Sequence, residues 1–165
     1  MTDSITALVG LNYPEYMADL VNEILLRLGV QPRTMGIKMQ GMEGFEHAEL
    51  YPAGELFEQY FKAATDEEFG LYLLDVNLAC SMGEVVTAQD VMPGRRVVDL
   101  LEERIKAGTA KVVTFSGRPD VVEMARQHGV PCVDKSIVMP MLGDLVAAPN
   151  MRKFAEVYDL GVRYD

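Results

Sequence analysis

The stretch LYLLDVNLA, Leu71 to Ala79, runs four residues of a buried-strand pattern straight into the carboxylate of Asp75 and then into a long polar segment. A short unbroken apolar run suits a strand covered on both faces, as in a parallel sheet. An acid placed directly after such a run either caps a turn or is a reactive group held at the lip of the sheet. The segments on either side decide what surrounds it.

Upstream, ITALVGL (Ile5–Leu11) is short, apolar and β-prone. Pro14 then opens a helical stripe of Met17, Leu20, Val21, Ile24, Leu25 and Leu28, which Gly29 stops. TMGIKMQ (Thr34–Gln40) reads as a weaker strand, and a second stripe follows at Ala53, Leu56, Phe57, Tyr60, Phe61 and Ala64. Downstream, Val97, Val98, Leu101 and Ile105 line a helix expected to enter at Pro93 and leave at Gly108. KVVTFS (Lys111–Ser116) is the next strand, Pro119–His128 a helix stopped by Gly129, PCVD a short fifth strand, and Met139–Val146 a fifth helix. This alternation predicts an α/β fold, a doubly wound five-stranded parallel sheet with helices on both faces.

Two segments exceed that plan. The connection over about 77–92 is longer than most strand-to-helix loops, and loops of that length are usually functional or disordered. Residues 149–165 form an extension in which Asn150 caps a helix with Met151, Phe154, Ala155 and Tyr158 on one face. That face is expected to pack on its own domain or on a partner subunit. The boundaries are therefore 1–148 for the main domain and 149–165 for the extension helix.

The composition narrows the function classes. The formal net charge of −10 disfavours binding to nucleic acid phosphates or to anionic membrane. No apolar run approaches the roughly 20 residues that cross a bilayer, and MTDSITALVG has no basic segment of secretory type, so a cytoplasmic protein is expected. Asp66-Glu67-Glu68 reads as a solvated connector, and most of the eleven Met residues as core filling. Cys80 and Cys132 share no metal-binding spacing and read as two reduced thiols. His47 lies in a polar surface stretch, and His128 closes a helix, where an imidazolium complements the dipole.

In such sheets, reactive groups gather outside the carboxyl ends of the strands. Asp75, Ser116 and Lys135 each lie at a strand end, and a carboxylate nucleophile beside a hydroxyl and an ammonium can form and hold an acyl phosphate. At this point the chain resembles the receiver domains of two-component response regulators. LYLLDVNL matches the phosphoacceptor strand, VVTFSG the strand carrying the switch hydroxyl, and CVDKSI the strand carrying the lysine. The resemblance covers roughly Ile5 to Ala147, with two insertions, and implies a flavodoxin/CheY-like fold. It implies Asp75 as phosphoacceptor, Ser116 and Lys135 as phosphoryl contacts, and Asn77 as a backbone ligand of Mg²⁺.

The departures are as informative. The two acids that hold Mg²⁺ in receivers fall here on Leu11 and Asn12, leaving Asp75, Asn12 and Asn77 as a poor metal set. Glu15, Glu84 or Asp90 are the acids that could substitute. The aromatic that in receivers precedes the lysine by a few residues has no counterpart, since Cys132 and Val133 occupy that strand, and Ser136 stands where the family has a cis proline. A trans Lys135–Ser136 bond with a rearranged loop is expected, because a cis bond before a non-proline residue costs about 2.5–4 kcal/mol. A shortened fourth helix is expected as well.

The expectation is an atypical receiver that signals through protein contacts, with weak or absent phosphotransfer, no cofactor other than a poorly held Mg²⁺, and no turnover beyond self-phosphorylation. Its partner would be a histidine kinase, a downstream signalling protein or a second copy. They would meet the face of the fourth helix, fifth strand and fifth helix, or the tail helix. A conventional Mg²⁺-dependent phosphoacceptor remains an alternative. So does a haloacid-dehalogenase-type phosphatase, although Asn77 stands where that family needs a general acid. A small-molecule binder using the strand-end crevice is a third, and Arg118 is a candidate to meet an anion there.

Overall fold

The structure is a computed structural model that describes residues 5–78 and 85–164; Cys80 and Glu84 lie outside the described residues. In chain order the elements are β1 (Ile5–Leu11), α1 (Pro14–Arg27), β2 (Val30–Ile37), β3 (Glu49–Tyr51), α2 (Leu56–Asp66), β4 (Leu71–Asp75), α3 (Ala88–Ala107), β5 (Lys111–Ser116), α4 (Pro119–Gln127), β6 (Cys132–Asp134), a 3₁₀ turn (Lys135–Ile137), α5 (Val138–Ala147) and α6 (Met151–Ala155). The sheet is parallel throughout, in the order β3-β2-β1-β4-β5-β6. Leaving β3 aside, this is the doubly wound flavodoxin/CheY-like order, with its switch point between β1 and β4.

The alternation of side chains along each strand separates two cores. Ala7, Val9, Leu11, Leu71 and Leu73 face one side and pack with Met17, Val21 and Leu25 of α1 and with Met141, Leu142 and Leu145 of α5. Leu8, Tyr72 and Leu74 face the other and pack with Leu56, Phe57 and Tyr60 of α2 and Val97 and Leu101 of α3. Gly10 has no side chain because there is no room for one. A Cβ there would stand 2.7 Å from Leu78 Cδ1 and 2.9 Å from Tyr60 Cδ2. Tyr60 is fully buried, and its hydroxyl lies 3.2 Å from the carbonyls of Leu8 and Leu73, joining α2 to both strands that flank the switch point.

Several sequence expectations are corrected. The sheet has six strands, not five: β3 adds to the outer edge of β2, held by Arg33 to Glu49 at 2.8 Å and Lys38 N–H to the Tyr51 carbonyl at 2.7 Å. Three residues in a polar stretch carry no periodicity, so only the tertiary pairing defines that strand. Arg33 also pairs with Glu67, which is therefore more than a solvated connector. β2 starts at Val30 rather than Thr34, because its pairing to β1 runs from Ile5↔Val30 to Leu11↔Gly36. Pro32 is tolerated there because β3 pairs only with Met35–Ile37 and needs no N–H from it. Leu20 and Leu28 are exposed rather than part of the α1 core face, and Ala53 precedes α2 instead of lining it.

The long connection is also shorter than read. α3 begins at Ala88, five residues before Pro93, because Thr87 and Asp90 form a capping box in which Thr87 N–H donates to Asp90 at 2.8 Å. Asp90 is thereby committed to the helix end. α4 has nine residues and ends at Gln127, one residue short of the expected Pro119–His128. His128 is its C-terminal cap, with Nδ1 2.9 Å from the Met124 carbonyl. Cys132 is a buried free thiol, pushed by that burial up to about 11.

The extension folds onto the domain. Asn150 caps α6 as expected, accepting from Lys153 N–H, but α6 has only five residues. Met151 and Phe154 are buried in the α1/α5 core, and the chain then runs on as a strap to Tyr164. One tie was not read from the sequence. The Lys111 ammonium, at the start of β5, donates to the carbonyls of Leu145, Val146 and Ala148 at the C-terminus of α5. Among the described residues no helix is long and apolar enough to cross a membrane.

Candidate functional site

β4 ends in Asp75 because its apolar run is exhausted there, with Asp75 still paired in register opposite Phe115 of β5. The Asp75 side chain is 7% exposed. Its Oδ1 accepts from the Asn77 backbone N–H at 3.1 Å, and its Oδ2 lies 3.2 Å from Lys135 Nζ. Burial pushes the Asp75 carboxyl above the ordinary carboxylate range, and the Lys135 charge and the N–H groups of Asn77 and Asn12 oppose that shift without cancelling it.

Lys135 reaches the site from the turn after β6, a short 3₁₀ segment that Asp134 caps by accepting from Ser136 N–H at 2.9 Å. The Lys135–Ser136 peptide is trans, as expected, and the turn takes the place of a proline-built loop. Lys135 Nζ also stands 5.3 Å from the centroid of the Tyr13 ring, a cation–π contact. The strand just before Lys135 carries no aromatic, yet Tyr13 brings one to it from the end of β1. The signal was available: Tyr13 directly follows Asn12 at a strand's carboxyl end, where side chains line the crevice.

Ser116 ends β5 and accepts from Arg118 N–H at 3.1 Å through Oγ, which leaves its hydroxyl proton free to be donated. Together these residues line a cavity of about 500 Å³ at the switch point. Asp75, Ser116, Lys135, Asn12 and Asn77, the candidate residues of the sequence, all line it. Arg118 lines it too, while its guanidinium pairs with Asp120 at 2.8 Å. Ile37 and Ala53, from segments read only as strand and helix, complete the wall.

Leu11 does not join them. The odd–even alternation of β1 turns it with Ala7 and Val9 into the α1/α5 core, 1% exposed. Asn12 is at the crevice but carries no charge. Among the described residues no group of three or more His, Cys, Asp or Glu side chains converges on a common point. Among the described residues the donor set at the crevice is one carboxylate, already facing an ammonium, plus amides and the Ser116 hydroxyl. That set fits Mg²⁺ poorly, because this small ion sheds water reluctantly and is held through carboxylates.

Neither family models nor curated proteins match this chain. Solved structures do. One is the RcsB response regulator of Salmonella typhimurium, at a TM-score of 0.52 and 8% identity, over 99% of this chain and 64% of that one. The chain thus spans less than two thirds of that regulator's length. Another is a fusion carrying the yeast Spc42 trimeric coiled coil, at a TM-score of 0.50 and 19% identity, over 96% of this chain and 87% of that one. At these identities the likeness is one of fold. It agrees with the sheet order and extends to a response regulator the architecture that the chain's strands and helices already imply.

Proposed function

We propose that the chain is an atypical receiver-like module that signals through protein contacts, with phosphotransfer at Asp75 weak or absent. The observation that carries this reading is the 3.2 Å pair of Asp75 and Lys135 at the switch point of a doubly wound sheet, with no other carboxylate among the described residues that line the crevice. The nucleophile and phosphoryl-binding groups of a receiver are present in the crevice. The counter-charge that would draw in a divalent cation is reduced to a single anion. A structural likeness to a response regulator supports the architecture of this reading.

The test is incubation with acetyl phosphate, or with beryllofluoride, in the presence of Mg²⁺, read by intact mass and by NMR shifts. Little or no adduct on a folded chain is the expected result. A stoichiometric adduct lost in Asp75→Asn would establish a conventional phosphoacceptor instead.

One observation favours a second reading, a binder of small anions. Two cationic side chains, Lys135 and Arg118, share the 500 Å³ cavity with one carboxylate. Titration of the Asp75→Asn chain with inorganic phosphate, without metal, separates the two: saturable shifts around Ser116 and Lys135 favour the binder. Nothing favours a phosphatase, since Asn77 supplies an amide and a backbone N–H rather than a general acid.

A further inference from the structure

We propose that the segment Tyr158–Tyr164 is a displaceable strap, seated in cis on the α4–β6–α5 face, and that the same seat accepts the strap of a second copy of this chain. The proposal rests on the reading of the chain as an interaction module and names its partner and its regulation.

β6 is the outermost strand of the sheet and only three residues long. Its outward N–H, on Cys132, donates to the Leu160 carbonyl at 3.3 Å. Beside it, Arg126 of α4 grips strand and strap at once. Its Nε and Nη2 donate to the Cys132 carbonyl at 3.0 and 2.9 Å, Nη2 to the Asp159 carbonyl at 2.7 Å, and Nη1 to the Asp159 carboxylate at 3.2 Å. On the other flank Tyr158 donates to Asp144 of α5 at 2.6 Å. Leu160 is buried in the core that holds Val133 and Met141. Gly161 lies flat on the Arg126 stem at φ +72°, where any Cβ would overlap that side chain.

This is a built seat, and it holds lightly. Leu160 is the strap's one fully buried side chain, with Tyr158 and Tyr164 half-buried against the same core; the rest is one long backbone bond and polar pairs at the surface. The Asp159 side chain is 84% exposed. Segments held this way open at free energies well below global unfolding. Once lifted, the strap leaves an unpaired edge N–H, an open Leu160 socket and an Arg126 that keeps the Cys132 carbonyl but loses both Asp159 oxygens. A ligand for that seat must bring an acid, an apolar side chain one residue on and a backbone free to lie flat. The Asp159-Leu160-Gly161 of a second copy brings all three, and exchange of identical segments re-forms the same contacts between protomers at little cost.

Complementation of full-length variants tests this. Gly161→Ala weakens the strap and keeps the seat; Arg126→Gln breaks the seat and keeps the strap. The Cys132 amide, followed by hydrogen exchange, reports release in each. Each variant alone and the wild-type chain are expected to run as monomers in light scattering, and the equimolar mixture as a one-to-one heterodimer. Fast Cys132 exchange in both variants without a heterodimer would overturn the proposal. So would wild-type protection at Cys132 in both, or dimerisation of Arg126→Gln by itself. Leu160→Ala replaces Gly161→Ala should that chain fail to fold. Asp75 is untouched throughout, so the result is independent of whether the crevice takes a phosphoryl group.

Discussion

Lys135 closes on Asp75 from sixty residues away, its Nζ 3.2 Å from Oδ2, while the carboxylate is almost wholly buried and the lysine remains a quarter exposed. The pair is therefore asymmetric: the anion bears the desolvation and the cation keeps part of its water. Its burial and not its partner sets the direction of the Asp75 shift.

The pH dependence of stability follows. An acid whose folded pKa lies above its unfolded value adds stability that is complete below the unfolded pKa and is lost as pH rises through the folded one. Asp75→Asn removes that titration. Urea midpoints of the two chains are expected to lie closest near pH 4 and to diverge towards pH 7, with the asparagine chain the more stable. Lys135→Met has the opposite effect, losing about 1–3 kcal/mol at neutral pH by leaving the carboxylate without its cation. A pH-independent difference between wild type and Asp75→Asn would refute the account of the site's electrostatics.

Asn12→Asp restores one acid to the crevice without touching the core. Mg²⁺ affinity, followed by NMR titration, is expected to rise at least tenfold: a charge added about 4 Å from the ion supplies about 4 kcal/mol or more at an effective dielectric near 20, before its own desolvation is counted, and every ~1.4 kcal/mol is a factor of ten. Leu11→Asp is expected to unfold the chain instead, because its side chain enters the α1/α5 core. Equal Mg²⁺ binding before and after Asn12→Asp would show that charge is not what limits the metal.

Tyr13 acts on Lys135 through its ring face. Tyr13→Phe is expected to leave the denaturation midpoint unchanged, and Tyr13→Ala to cost about 0.5–1 kcal/mol. A loss in the phenylalanine chain equal to that in the alanine chain would assign the effect to the hydroxyl.

At the opposite end of the sheet, Lys111→Met leaves the carbonyls of Leu145, Val146 and Ala148 without their ammonium donor. The expected cost is about 2–3 kcal/mol, or roughly 5–10 °C in melting temperature for a chain of this size. Unchanged melting would mean that water caps those carbonyls equally well.

The strand ends were legible in the sequence because each is a local event. At Asp75, Ser116 and Asp134 an apolar run meets a polar residue, and the alternation with helices is enough to place all three at one edge of a parallel sheet. The capping box of α3 was legible too, in Thr87 and Asp90, but Pro93 is the stronger punctuation mark and drew the boundary to itself. The third strand was not legible, since Glu49–Tyr51 has neither length nor period and exists only because β2 offers it an edge.

The residues by themselves therefore determined the architecture, the carboxylate at its switch point and the lack of an acid at Leu11 and Asn12, because pattern and charge are properties of the chain. Tertiary structure alone decided that the Tyr13 ring meets Lys135, that Lys111 closes α5 and that the strap lies on β6. Each of these joins groups distant in sequence, and a contact of that kind is fixed by how whole elements pack, which no local pattern encodes.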